Sequence, residues 1–67
     1  MKTIIKNLEE QREILQDLIQ AREDKFYDRS EKWQESEKGQ EWEDKTMDIQ
    51  TQCDELEIII DELKNLL

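Results

Sequence analysis

From Trp42 to Leu67 the chain places Trp42, Thr46, Ile49, Cys53, Leu56, Ile60, Leu63 and Leu67 at steps of four and three without an error. That spacing keeps one stripe of a helix against a single neighbour along its whole length, because a 3.5-residue repeat nearly matches the helical turn. A strand would bury alternate residues, and this segment does not alternate. The N-terminal half carries a looser version of the same pattern at Ile4, Leu8, Leu15, Leu18, Ile19, Phe26 and Trp33, with intervals of mostly three, four and seven. Proline is absent and Gly39 is the only glycine. The sequence therefore predicts an all-α domain over residues 1–67, with a helix over about 2–37, a turn near Gly39 and a second helix over about 40–66.

A glycine costs a helix only about 1 kcal/mol relative to alanine, so a continuous rod is the competing arrangement. A mirror relation favours the antiparallel hairpin. If the chain reverses near residues 36–40, facing residues have numbers adding to about 75. Leu8 then meets Leu67, Leu15 meets Ile60, Ile19 meets Leu56, Phe26 meets Ile49, and Trp33 meets Trp42 beside the turn. Arg22 would face Cys53 and Arg29 would face Thr46, their stems covering apolar surface while the guanidinium groups reach outward. The expected core is Leu8, Leu15, Ile19, Phe26, Ile49, Leu56, Ile60 and Leu63.

Fifteen of the 23 hydrophobic residues fall within positions 1–19 and 56–67, at the open end of such a hairpin. Two helices need one apolar stripe each, and here the stripes are wider. A 67-residue chain also has little core of its own, and small domains compensate with disulfides, metals or oligomerisation. The single Cys53 excludes an internal disulfide, and the absence of histidine removes the commonest metal ligand. Oligomerisation remains. The expectation is a homo-oligomer, most simply a dimer of hairpins forming a four-helix bundle, with subunit contacts from Ile4, Ile5, Ile14, Leu18, Ile59 and Leu66.

The chemistry that the composition permits is narrow. Without histidine there is no Glu-x-x-His di-iron element and no base to activate Ser30, Ser36 or Cys53. The surroundings of Gly39 supply neither an EF-hand spacing nor a phosphate-binding loop. No catalytic residue, cofactor or metal site is expected. Cys53 reads as a small buried seam residue whose acidic neighbours Asp54 and Glu55 oppose thiolate formation. A net charge of −9 repels nucleic acid and anionic membrane, and no apolar run reaches the roughly 18 to 20 residues of a membrane span. Ile4 and Ile5 run straight into Lys6 and Asn7, which does not make a secretion signal, so a reducing cytoplasm is the expected location.

Two features could recognise a partner. Ser-Glu-Lys-Trp-Gln-Glu at 30–35 is echoed by Ser-Glu-Lys-Gly-Gln-Glu at 36–41, and Trp33 and Trp42 either present a recognition tip or close the turn. Residues 37–67 hold ten acids and three bases, with Glu41, Asp44, Asp48, Glu55 and Glu62 at helical spacing. Such a row either solubilises the helix or imitates a phosphate backbone. The stretch RSEKWQESEKGQEWEDKT, residues 29–46, resembles a segment of small uncharacterised acidic proteins of phages and prophages. The resemblance covers about a quarter of the chain. It implies a small accessory protein acting in a bacterial or phage-infected cytosol, and brings no catalytic residues. The expected function is a non-enzymatic protein–protein interaction or structural module with a protein partner. The alternative is an acidic nucleic-acid mimic that inhibits a host DNA- or RNA-binding defence protein through Asp44, Asp48 and Glu55. A third is an architectural component that makes contact through the tryptophan tip.

Overall fold

The computed structural model describes residues 2–67; Met1, one of the apolar residues of the open end, lies outside them. The described residues form three helices: α1 over Lys2–Tyr27, the short α2 over Glu31–Glu35, and α3 over Glu37–Asn65. Helices α1 and α3 pack antiparallel along their length, and α2 folds against the start of α3. The molecule measures 50 × 15 × 11 Å between Cα atoms and has a radius of gyration of 15.4 Å. A compact chain of this length would have about 11 Å.

The chain reverses earlier than the position of Gly39 suggests. Helix α1 ends at Tyr27 rather than near residue 37, and the turn spans Asp28–Ser36 with α2 inside it. Serine caps cause this. Ser30 and Ser36 both have extended backbone, and their hydroxyls accept hydrogen bonds from Trp33 N and Gly39 N, at 3.3 and 3.2 Å. Each therefore satisfies a donor that a helix start leaves open. The repeated Ser-Glu-Lys element is thus a duplicated helix start. Gln34 Nε2 donates to Arg29 O at 2.9 Å and closes the turn.

Gly39 has no positive φ and is not a turn residue. It sits buried in the first turn of α3, where a Cβ would come within 2.6 Å of Gln34 O and closer still to Trp33 O. Glycine is needed there for close approach of the end of α2, not for backbone freedom.

The displaced turn changes the pairing register. Cys53 Sγ lies 4.0 Å from Arg12 O, and Trp42 Nε1 donates to Arg22 O at 3.0 Å, so facing residues have numbers adding to about 65 rather than 75. In that register two rows of sevenfold spacing come together: Ile5, Arg12, Ile19 and Phe26 on α1, and Ile60, Cys53, Thr46 and Gly39 on α3. All but the half-buried Arg12 are buried, Ile60 and Cys53 at 0% and 1% exposure. Naming Ile5 and Gly39 position a of a heptad a–g, the second seam row d is Leu8, Leu15 and Arg22 on α1, with Trp42, Ile49, Leu56 and Leu63 on α3, all half-buried. Ile19, Phe26 and Ile60 are thus buried core, the other expected core residues line it, and Leu67 is exposed.

The pairings predicted from the mirror relation give way accordingly. Phe26 lies level with Gly39 instead of Ile49, Ile19 with Thr46 instead of Leu56, and Ile60 with Ile5 instead of Leu15. Ile5, expected at a subunit contact, is 6% exposed inside the hairpin and has little surface to offer another chain. Trp33 and Trp42 do meet, with ring centroids 6.4 Å apart, because α2 carries Trp33 across onto α3.

The core is thin. Arg12 interrupts it, and its Nε finds no hydrogen-bond partner among the described residues. The accessible surface is 5432 Å². A folded monomeric protein of 8.2 kDa exposes about 4,500 Å².

Candidate interaction surfaces

Reversing one helix against the other brings like-lettered flanks together, so e faces e and g faces g. The ion pair Glu9–Lys64, at 3.7 Å, joins two e positions, and Arg12–Glu57, at 3.6 Å, lies on the same flank. This e flank carries Glu9, Gln16 and Glu23 on α1 and Glu43, Gln50, Glu57 and Lys64 on α3.

The opposite flank has another character. Row g of α1 is Ile4, Gln11, Leu18 and Lys25, and its outer neighbour, row c, is Asn7, Ile14 and Ala21. Together they step 4, 7, 11, 14, 18, 21, 25, which is a second heptad stripe on the same helix. Every residue in it is exposed and none is acidic, in a chain with 19 acids. Row g of α3 continues the surface with Lys45, Gln52, Ile59 and Leu66. Five of the six residues expected at a subunit contact, Ile4, Ile14, Leu18, Ile59 and Leu66, therefore share one face; Ile14 is 58% exposed.

The acidic candidates lie beyond that face. Glu41, Asp48, Glu55 and Glu62 form row c of α3, and Asp44 sits in the adjoining row f, all exposed. At a rise of ~1.5 Å per residue, members of the row are about 10 Å apart.

The tryptophan tip is a packed cluster rather than a free recognition surface. Phe26 touches Tyr27 and Trp33, at centroid distances of 5.3 and 5.9 Å, and Trp33 touches Trp42. The Arg22 guanidinium lies 4.0 Å over the Trp42 ring, donates from Nε to Thr46 Oγ1 at 2.9 Å and from Nη2 to Trp42 O at 3.1 Å. Arg29 stacks on Trp33 at 4.3 Å. These cations cover aromatic faces and satisfy a seam that has polar members. Trp33 and Trp42 are half-buried, and neither is spread outward on its own. On the e flank a small cleft of about 80 Å³ opens beside the cluster, lined by Glu23, Phe26, Tyr27, Trp42, Glu43, Thr46 and Met47. It is far below the ~300 Å³ at which pockets begin to hold drug-sized ligands.

Burial pushes the Cys53 thiol above its ordinary value, and the carboxylates of Glu57 and Asp54 push the same way against Arg12. The thiol is therefore held protonated, as suits a packing residue. Among the described residues no group of three or more His, Cys, Asp or Glu is placed to hold a metal ion, and no helix is long and apolar enough to cross a membrane. The sequence reading missed the serine caps, which the repeat signalled, and the second stripe of α1, whose polar members Asn7 and Gln11 hid it from an apolar count. No family model matches this chain, and no curated protein or solved structure matches it either.

Proposed function

We propose that this chain is a non-enzymatic interaction module that works as a homodimer, two hairpins joining through the acid-free stripe of α1. The observation that carries the reading is the second heptad pattern, Ile4, Asn7, Gln11, Ile14, Leu18, Ala21 and Lys25, all exposed beside a first pattern already used within the hairpin. A helix with two such stripes is suited to the inside of a bundle, with a neighbour on each. Surface area supports it. The hairpin exposes roughly 900 Å² more than a monomeric protein of its mass, close to the ~800 Å² that each partner buries in a standard interface. Charge supports the choice of face, because two chains of net charge −9 repel except along a stripe without carboxylates.

Bringing the stripes of two α1 helices together antiparallel about Gln11 would set Ile4 of each chain against Leu18 of the other. The rows of α3 would then flank the bundle, with Ile59 and Leu66 at its edge and the acidic row outside. An accessory role in a bacterial or phage-infected cytosol, as the resemblance of residues 29–46 implies, belongs to the same reading. The partner protein would dock on the dimer rather than on an isolated hairpin.

Leu18→Asp tests this. Leu18 lies outside the hairpin seam, so the variant keeps its helical circular dichroism while its sedimentation mass falls to one chain. A variant that stays at the mass of two chains rules out this interface.

The nucleic-acid-mimic reading has less support. Successive phosphates of one DNA strand rise 3.4 Å, whereas the carboxylates of the α3 row are spaced about 10 Å, with Asp44 filling only one gap. It predicts salt-sensitive binding to a basic protein that Asp44→Asn, Asp48→Asn and Glu55→Gln together weaken.

A further inference from the structure

The e flank treats its carboxylates unequally. Toward the open end, Glu57 has Arg12 and Glu9 has Lys64. At the tip, Glu23 and Glu43 are both e residues at matching levels of the two helices, and both line the same cleft. Neither makes an ion pair among the described residues. The nearby cations are engaged elsewhere, Arg22 on Trp42 and Thr46, and Arg29 on Trp33. Two like charges facing across a seam oppose its closure.

Between these carboxylates the cleft is aromatic and polarisable. Phe26 and Thr46 are the buried members of its lining, Trp42 is half-buried, and Tyr27 and Met47 are exposed. Aromatic rings present a negative face to a cation, and the thioether adds polarisable contact. A ~80 Å³ space admits the end of one side chain, not a small-molecule ligand. The occupant that answers both the two carboxylates and the flat aromatic lining is a planar guanidinium, which can fork toward oxygen on two sides while stacking on a ring.

The geometry points to a docking site for an arginine side chain of a basic partner protein, held in the cleft by Glu23, Glu43 and its aromatic lining. It rests on the reading of the chain as an interaction module. It lies on the flank opposite the proposed dimer stripe, so the two can fail separately.

The test is a titration of the isotopically labelled full chain with N-acetyl-arginine-N-methylamide, following the Met47 and Thr46 methyl signals and the Trp42 indole. The lysine analogue and the uncharged citrulline analogue serve as comparisons. Saturable shifts confined to these groups are expected with arginine and not with citrulline. Binding should weaken at least tenfold in Glu23→Gln/Glu43→Gln and remain in Asp44→Asn/Asp48→Asn/Glu55→Gln. The unliganded Glu23→Gln/Glu43→Gln variant should also melt at a higher temperature, since it removes the facing charges. Absent shifts, equal shifts with citrulline, or binding unchanged in the Glu23/Glu43 variant would overturn the site. Equal binding of lysine would overturn its assignment to guanidinium, and loss of binding in the other variant would move recognition to the outer face of α3. Sedimentation of the same samples reads the dimer independently.

Discussion

Gly39 shows how one residue can be conspicuous in a sequence for the wrong reason. As the only glycine it invites a turn, yet it lies inside α3, pressed against the carbonyls of Trp33 and Gln34. The sign of a substitution separates the two roles. In an ordinary helical position Gly→Ala stabilises by about 1 kcal/mol. Here the methyl group collides with backbone, and Gly39→Ala should destabilise by about 1–3 kcal/mol, read from chemical denaturation. Cys53 was legible where Gly39 was not, because its seam position and Asp54 both appear in the sequence, although Glu57, one turn on, acts in place of the expected Glu55. Its raised pKa gives a pH dependence of definite sign. An unfolded thiol loses its proton around the ordinary value of 9.0, while the folded one keeps it to higher pH. The contribution is fully present below that value and is lost as pH rises through the folded pKa. Wild-type stability should therefore fall between pH 8 and pH 10 by more than that of Cys53→Ala.

At the scale of elements, helix content could be read from period alone, but helix ends could not. The apolar pattern runs from Phe26 to Trp33 at an interval of seven, and nothing in that interval forbids helix. The break comes instead from Ser30 and Ser36, whose hydroxyls compete for backbone N–H groups that a continuous helix would have bonded. A five-residue shift of the turn moves facing residues by ten in their summed number, which changed the partner of the layers between α1 and α3 while Trp33, carried by α2, still meets Trp42. Loss of the cap of α3 should be the more costly, since that helix carries half the seam. Ser36→Ala should lower stability by about 1 kcal/mol and Ser30→Ala by less, measured by thermal melting. Arg22 is the other element-level join, linking α1 to α3 through Trp42 and Thr46. Arg22→Lys cannot reproduce two directed bonds and a stacked plane. It should lower the melting temperature and shift Trp42 fluorescence to longer wavelength.

The whole molecule is a slender hairpin with two unlike flanks. One carries two ion pairs toward the open end and holds the tip cleft; the other is exposed, apolar in part and free of acids along α1. The surplus of apolar residues pointed to a shared surface from sequence, and five of the six residues named for it lie on one face. Ile5 could not be separated from Ile4 without the register, since adjacent positions fall on opposite sides of a seam only once the facing helix is placed. The identity of the partner has no counterpart in apolar spacing, because a stripe records that something is buried but not what buries it. The proposed dimer stands or falls on whether the hairpin is complete alone. Sedimentation equilibrium over a concentration series should give a molar mass of twice the 8.2 kDa chain, falling toward one chain only on dilution. A well-folded species of a single chain's mass at every concentration would contradict it, leaving the second stripe of α1 without a second copy to cover it.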